Sequence, residues 1–180
     1  GRSNNCWAFA AISTLESNIL KINSSITYDF SENNMKNIMS NSSDYGTSIF
    51  SVNSGGYDRM AIGYLTSWLG PVLENEDPYD LTSTNIIRFN SSTLHIQNVL
   101  FNEHEPNKIK QAIFYYGAVA LSYNHNPSFY NNVTHAYFYP QNSKDNGHAI
   151  SIIGWNDSFS KENFNNYPPE NGAWICKNSW

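Results

Sequence analysis

Apolar side chains fall at Trp7, Ala8, Ala11, Ile12, Leu15, Ile19 and Leu20. They return to one face every three or four residues, so residues 6–20 are expected to form a largely buried helix with Cys6 in its first turn. A second helix is expected from Ser31, whose hydroxyl can cap the free amides of the residues that follow. A third is expected from Asp58, read as its cap, with Ala61, Tyr64, Leu65, Trp68 and Leu69 on one face and Gly70-Pro71 at its end. After a short helix over residues 107–116, stopped by Gly117, the periodicity changes. The runs 118–123, 148–155 and 173–177 are short, apolar and rich in β-branched and aromatic residues, as strands are. Helices first and sheet later predict an α+β architecture in two lobes. The helical lobe covers residues 1–93 and the β-rich lobe 94–180, with the join falling between Asp80 and Thr93. The polar, Pro-broken loop 157–171 is expected to be exposed.

Composition narrows the classes of function. The chain has 180 residues, 15% of them aromatic, and a formal net charge of -5 with only 10 Lys plus Arg. That is enough apolar material for a sizeable core and too little basic charge to neutralise a phosphate backbone, so no nucleic-acid partner is expected. No apolar run is long enough to span a bilayer. Two cysteines cannot make a disulfide framework, and Cys176, in an apolar strand, is read as a buried apolar residue. His95, His104, His125 and His135 lack metal-ligand spacing, so no metal site is expected.

Cys6 has two readings. A cysteine before tryptophan on an apolar helix is ordinary core filling, yet a thiol in a first helical turn also meets the positive end of the helix dipole and unpaired amides, which favour the thiolate. A thiolate nucleophile needs a proton-handling partner. His148 follows Gly147 at the start of a strand, where an imidazole can lean into a cleft, and Asn178 ends another strand with an amide oxygen able to hold the second ring nitrogen. Trp180 could shield that bond from water.

These residues resemble the papain-like cysteine peptidases. The matching pieces are Cys6-Trp7-Ala8-Phe9, Ser31-Glu32-Asn33, Gly55-Gly56-Tyr57, the stretch leading to Pro78-Tyr79, Gly147-His148-Ala149, and Lys177-Asn178-Ser179-Trp180. In this family His and Asn follow the nucleophile by roughly 130–150 residues; His148 fits, and Asn178 lies beyond, with loop 157–171 as the insertion. The resemblance implies a two-lobed fold with the active cleft between the lobes, Cys6, His148 and Asn178 as the catalytic triad, and a polypeptide substrate. It implies a substrate-binding role for Gly55, Gly56, Tyr57, Asp58, Gly147, Ala149 and Trp180. Glycines there let a substrate backbone approach as an added strand, and an acidic Asp58 would favour a basic side chain.

The sequence also departs from the family pattern. Ser3 and Asn4 stand where relatives carry Cys and Gly, removing a family disulfide; Asn tolerates the left-handed backbone such a turn can require. A Gln six residues before the nucleophile, the family's side-chain oxyanion donor, would fall just before Gly1. The chain is therefore read as the central part of a longer catalytic domain. The paucity of cysteine and the form of the second helix are most similar to the prokaryotic cell-surface branch, clostridial and archaeal peptidases of walls and S-layers. That implies an extracellular or cell-surface location and separate wall-anchoring or lectin-like domains. Two other classes stay open. One is a papain-fold binding or adhesion module with weak or no activity. The other is a transferase that passes the acyl group to an amine, since the same triad supports both.

Overall fold

The computed structural model describes residues 3–88, 92–140 and 147–180, so the join expected between Asp80 and Thr93 lies partly outside the described residues. Among the described residues, four α-helices, α1 (Cys6–Ile22), α2 (Glu32–Ile38), α3 (Asp58–Thr66) and α4 (Pro106–Tyr116), are followed by strands β1 (Val119–Asn124), β2 (Gly147–Asn156) and β3 (Ala173–Lys177). The strands form one antiparallel sheet in the order β1-β2-β3. The architecture is α+β.

Helix α1 is the spine. Its inner face buries Trp7, Ala8 and Ile12 against Phe30, Met35, Ile38, Met60, Ala61 and Tyr64 of the helical side. Elsewhere on α1 a seam of small side chains meets β2, where Ser151 Oγ donates to the Ala10 carbonyl at 2.9 Å and lies 3.2 Å from Thr14 Oγ1. Small residues let the helix approach the strand closely. Leu20, expected on the buried face, is 41% exposed because the helix has passed the core by its last turn. A second cluster, Ile109 and Ile113 of α4 with Ile152 of β2, closes the other face of the sheet. Gly117 ends α4 at φ 95°, and a Cβ there would meet the Ser17 carbonyl at 2.9 Å, so only glycine suits the tight crossing onto α1.

Helix α2 explains its own sequence. Ser31 Oγ accepts the Asn34 amide at 2.9 Å, as a capping serine does. Yet the helix is largely polar and buried from Asn33 to Ile38. Asn33 and Asn34 donate to Asp77 Oδ1 and Oδ2 at 2.7 and 2.9 Å, and the Tyr64 hydroxyl donates to Asn34 Oδ1 at 2.7 Å. Lys36 Nζ donates to the Ser83 carbonyl at 3.0 Å, and Asn37 Nδ2 to the Asn85 carbonyl at 2.9 Å. These side chains bind the irregular segment 77–87 to the core, where regular secondary structure would otherwise satisfy its backbone.

Burial pushes the Glu32 carboxyl up to about 8, with the carboxylates of Glu74 and Glu16 adding to the rise against its own backbone amide and Lys177. The unfolded chain binds this proton with a pKa of about 4.3. The folded state therefore holds the proton more tightly, a stabilisation complete below the unfolded value and lost as pH rises through 8. Denaturant titrations should show stability falling between pH 5 and 8.5, by at most about 1.4 kcal/mol per unit, with Glu32→Gln flattening the decline. An unchanged slope in the variant would assign the decline to other groups.

Three further expectations are corrected. Asp58 is not the cap of α3: Tyr57 occupies that position, and Asp58 is the first helical residue, its Oδ1 accepting the Arg59 amide at 2.9 Å. The helix stops at Thr66, so Trp68 leaves the buried face; it turns left-handed at φ 58° and stacks on His95 with 53% of its surface exposed. Loop 157–171 is not uniformly exposed, because Phe164 is buried against Phe138 and Phe159.

Candidate active site

Cys6 opens α1, whose preceding residue Asn5 accepts the Ala8 and Phe9 amides through its carbonyl at 3.0 and 3.3 Å. The run before it is held by side chains: Ser3 Oγ lies 2.6 Å from the Tyr79 hydroxyl, and Asn5 Nδ2 donates to Asn53 Oδ1 at 3.1 Å. Hydrogen bonds thus hold the segment where the family resemblance would have a disulfide. The left-handed backbone that Asn4 could tolerate is not used: among described non-glycine residues only Trp68 and His135 have positive φ.

The sheet brings His148 and Asn178 together. Ser151 of β2 pairs with Lys177 of β3 in antiparallel register, so residues just before Ser151 face those just after Lys177. His148 Nε2 lies 2.8 Å from Asn178 Oδ1, which also accepts the Ser179 amide at 2.8 Å. With Nε2 so engaged as the N–H, Nδ1 is the nitrogen left to serve the Cys6 thiol, and each of the two groups shifts the other's titration.

The two groups titrate in opposite directions. Burial raises the Cys6 thiol, but the His148 hydrogen bond, the Ala149 backbone, the His148 charge and the Trp7 backbone together carry it below its ordinary value. Burial lowers the His148 imidazole, and its bonds to Cys6 and Asn178 with the thiolate charge carry it above. A thiol lowered and an imidazole raised by each other favour a thiolate–imidazolium pair. Cys176 differs. The sequence reading as a buried residue is corrected, because β3 pairs on one side only and Cys176 is exposed; desolvation around its sulfur nevertheless pushes the thiol up to about 11.

The other expected site residues fall in several places. Gly56 packs on the Trp7 indole, where a Cβ would come within 2.4 Å of Nε1, and Gly55 takes φ 108° with the Phe50 ring 3.9 Å from where a Cβ would stand. Tyr57 is 59% exposed and meets Phe50 edge-on, while Asp58 is exposed at the start of α3. Gly147 faces open space, and Ala149 reaches Cys6 through its backbone. Trp180 stacks on the His148 ring with centroids 5.5 Å apart and planes inclined by 24°.

Sequence reasoning missed two neighbours of the imidazole. Tyr123, paired with His148 across β1 and β2, meets its ring edge-on at 5.6 Å, and His125 lies 5.6 Å from the same ring. Alternation along β1 puts Tyr123 on the inner face with Val119 and Leu121. Only the strand register says which residue of β2 it faces.

This geometry is that of a cysteine peptidase, and the sequence matches the papain family of cysteine proteases over residues 1–180. The chain belongs to that family. Solved structures agree. The cysteine protease and lectin-like domains of Cwp84, a surface layer associated protein of Clostridium difficile, superpose with a TM-score of 0.88 at 33% identity over 100% of this chain and 41% of that one. A Cys-to-Ala variant of clostridial Cwp84 after propeptide cleavage gives 0.88 at 34%, over 100% and 46%. Digestive procathepsin L 3 of Tenebrio molitor larval midgut gives 0.71 at 20% over 100% and 54%, a likeness of fold. The chain spans less than half the length of the two Cwp84 structures. A search of curated proteins returned no match. The fold is the papain-like two-lobed α+β fold. No helix among the described residues is long and apolar enough to cross a membrane.

Proposed function

We propose that the chain is the catalytic core of a cell-surface or extracellular cysteine endopeptidase, with Cys6 as nucleophile, His148 as acid and base, and Asn178 as the residue that orients the imidazole. The observation that carries this reading is the His148–Asn178 hydrogen bond, beside which the Cys6 thiol and the His148 imidazole shift each other in opposite senses. The active cleft lies between a helical lobe, residues 1–93, and a β-rich lobe, residues 94–180.

The Cys6 thiolate attacks the carbonyl carbon of a peptide bond, and the electron pair displaced onto oxygen forms an oxyanion. The Cys6 backbone N–H, at the start of α1, donates to it. His148 passes its Nδ1 proton to the leaving amine as the C–N bond breaks, leaving a thioester. His148 then takes a proton from water, whose hydroxyl attacks the thioester and returns the thiolate. No metal or organic cofactor enters these steps. Gly55 and Gly56 offer backbone for an extended substrate, Tyr57 and Asp58 border the neighbouring pocket, and Gly147, Ala149 and Trp180 border the cleft beside His148. The surface location and accessory lectin-like or wall-anchoring domains rest on the likeness to Cwp84.

Alkylation by iodoacetamide against pH, with the two cysteines resolved by mass spectrometry, tests the pair. Cys6 should react quickly below about pH 6 and lose that in His148→Ala, while Cys176 stays slow until alkaline pH. Cys6 reactivity that rises only near about pH 8.5, as in a free thiol, would overturn the reading.

A further inference from the structure

His148 is held on the Asn178 side by one hydrogen bond and on its face by Trp180, which is itself 58% exposed. An exposed indole needs support to act as a wall, and His125 supplies it. The His125 ring meets Trp180 at 5.0 Å and 66°, and the His148 ring at 5.6 Å and 55°. His125 is itself fixed. Its Nδ1 lies 3.0 Å from the Tyr123 hydroxyl, and Tyr137 stacks on it at 5.5 Å and 24°. The Tyr137 hydroxyl ties the backbone on both sides of His125, donating to the Asn124 carbonyl at 2.7 Å and accepting the Asn126 amide at 3.0 Å.

We propose that His125 is a positioning residue that, in its neutral form, holds the Trp180 wall and the His148 ring in the orientation serving Cys6. The inference rests on the Cys6–His148 reading above.

The charge argument follows from what faces His125. From β1 comes the Tyr123 phenol, from its own segment Tyr137, with Tyr130 and its partner His135 behind Trp180, and from β2 His148, with Cys6 of α1 beyond. Burial holds the Tyr123 phenol well above its ordinary value, and among these described groups the charge that faces His125 is the His148 imidazolium. Burial and that charge both hold His125 below its ordinary value, which keeps it neutral while His148 is protonated. When acid does protonate His125, two like charges face each other. His148 must then move or give up its proton, and either removes the partner of the thiolate.

The test compares wild type, His125→Ala and His125→Phe in the full-length protein. It reads kcat and KM on a peptide substrate from pH 4 to 9, together with the pH edge of Cys6 alkylation. His125→Ala should lower kcat about 10-fold near neutrality with KM within about two-fold, as a displaced base does. His125→Phe keeps a flat ring without a proton, so it should restore most of kcat and extend both activity and rapid alkylation to lower pH. Unchanged kcat in His125→Ala, or a change in KM alone, would overturn the proposal. If the Ala variant fails to fold, the Phe variant decides alone: an acid limb that stays in place overturns it. The underlying reading fails separately, and takes this inference with it, if wild-type Cys6 shows no early alkylation edge. A normal edge indifferent to both His125 variants sinks only the positioning role.

Discussion

His148→Ala is expected to lower kcat by roughly four orders of magnitude while leaving the fold intact. The size follows from what the ring does. In the proposed mechanism it holds Cys6 as a thiolate, protonates the leaving amine and deprotonates the hydrolytic water, and removing one member of such a unit costs nearly as much as removing all. The fold should survive because the α1–β2 seam is made by Ala10, Thr14 and Ser151, not by the imidazole. Circular dichroism and the unfolding midpoint should therefore match wild type, while initial rates on a peptide substrate fall by that factor. Asn178→Ala removes the Nε2 acceptor only and should lose less than the base itself. A His148→Ala protein that keeps more than about a tenth of wild-type kcat would mean that another group handles the proton.

Asp77→Ala should be the most damaging substitution of a polar side chain, destabilising the protein by about 2–4 kcal/mol in chemical denaturation. Asp77 is 4% exposed, and its carboxyl accepts from two amides, those of Asn33 and Asn34, themselves 1% and 0% exposed. Truncation leaves the Asn33 donor unpaired in the core and strips Asn34 of one of its partners, although Asn34 keeps the Ile87 carbonyl at 2.9 Å. Each buried group left unsatisfied costs about 1–3 kcal/mol, which sets the total. The Ser31 hydroxyl donates to the Asp77 backbone carbonyl, so the segment stays tethered there and the loss should stop short of unfolding. A measured loss below about 1 kcal/mol would show that water replaces the carboxyl and that the network is not closed.

Local patterning along the chain was sufficient for the elements. The apolar spacing of residues 6–20 placed α1, Ser31 placed the start of α2, Gly117 the end of α4, and β-branched runs the three strands. These are short-range matters of periodicity, capping and turn chemistry, so a one-dimensional reading reaches them. The candidate nucleophile was legible for the same reason, since a helix start carries its own field wherever it is placed.

Tertiary structure decided the rest. Nothing local in the run Glu32 to Ile38 says that a polar helix is internal; it becomes so because Asp77, Ser83 and Asn85 return from more than forty residues away to satisfy it. The tyrosine and second histidine beside His148 depend on a strand register that pairs Tyr123 with His148, and a one-residue slip would turn that side chain to the other face. Cys6, His148 and Asn178 were each readable as residue types suited to chemistry, but their meeting required α1 to lie against β2 and β3 to run antiparallel beside it. Sequence determined what each segment could be. Long-range hydrogen bonding and close packing, which act between residues far apart in the chain, determined which side chains share a site.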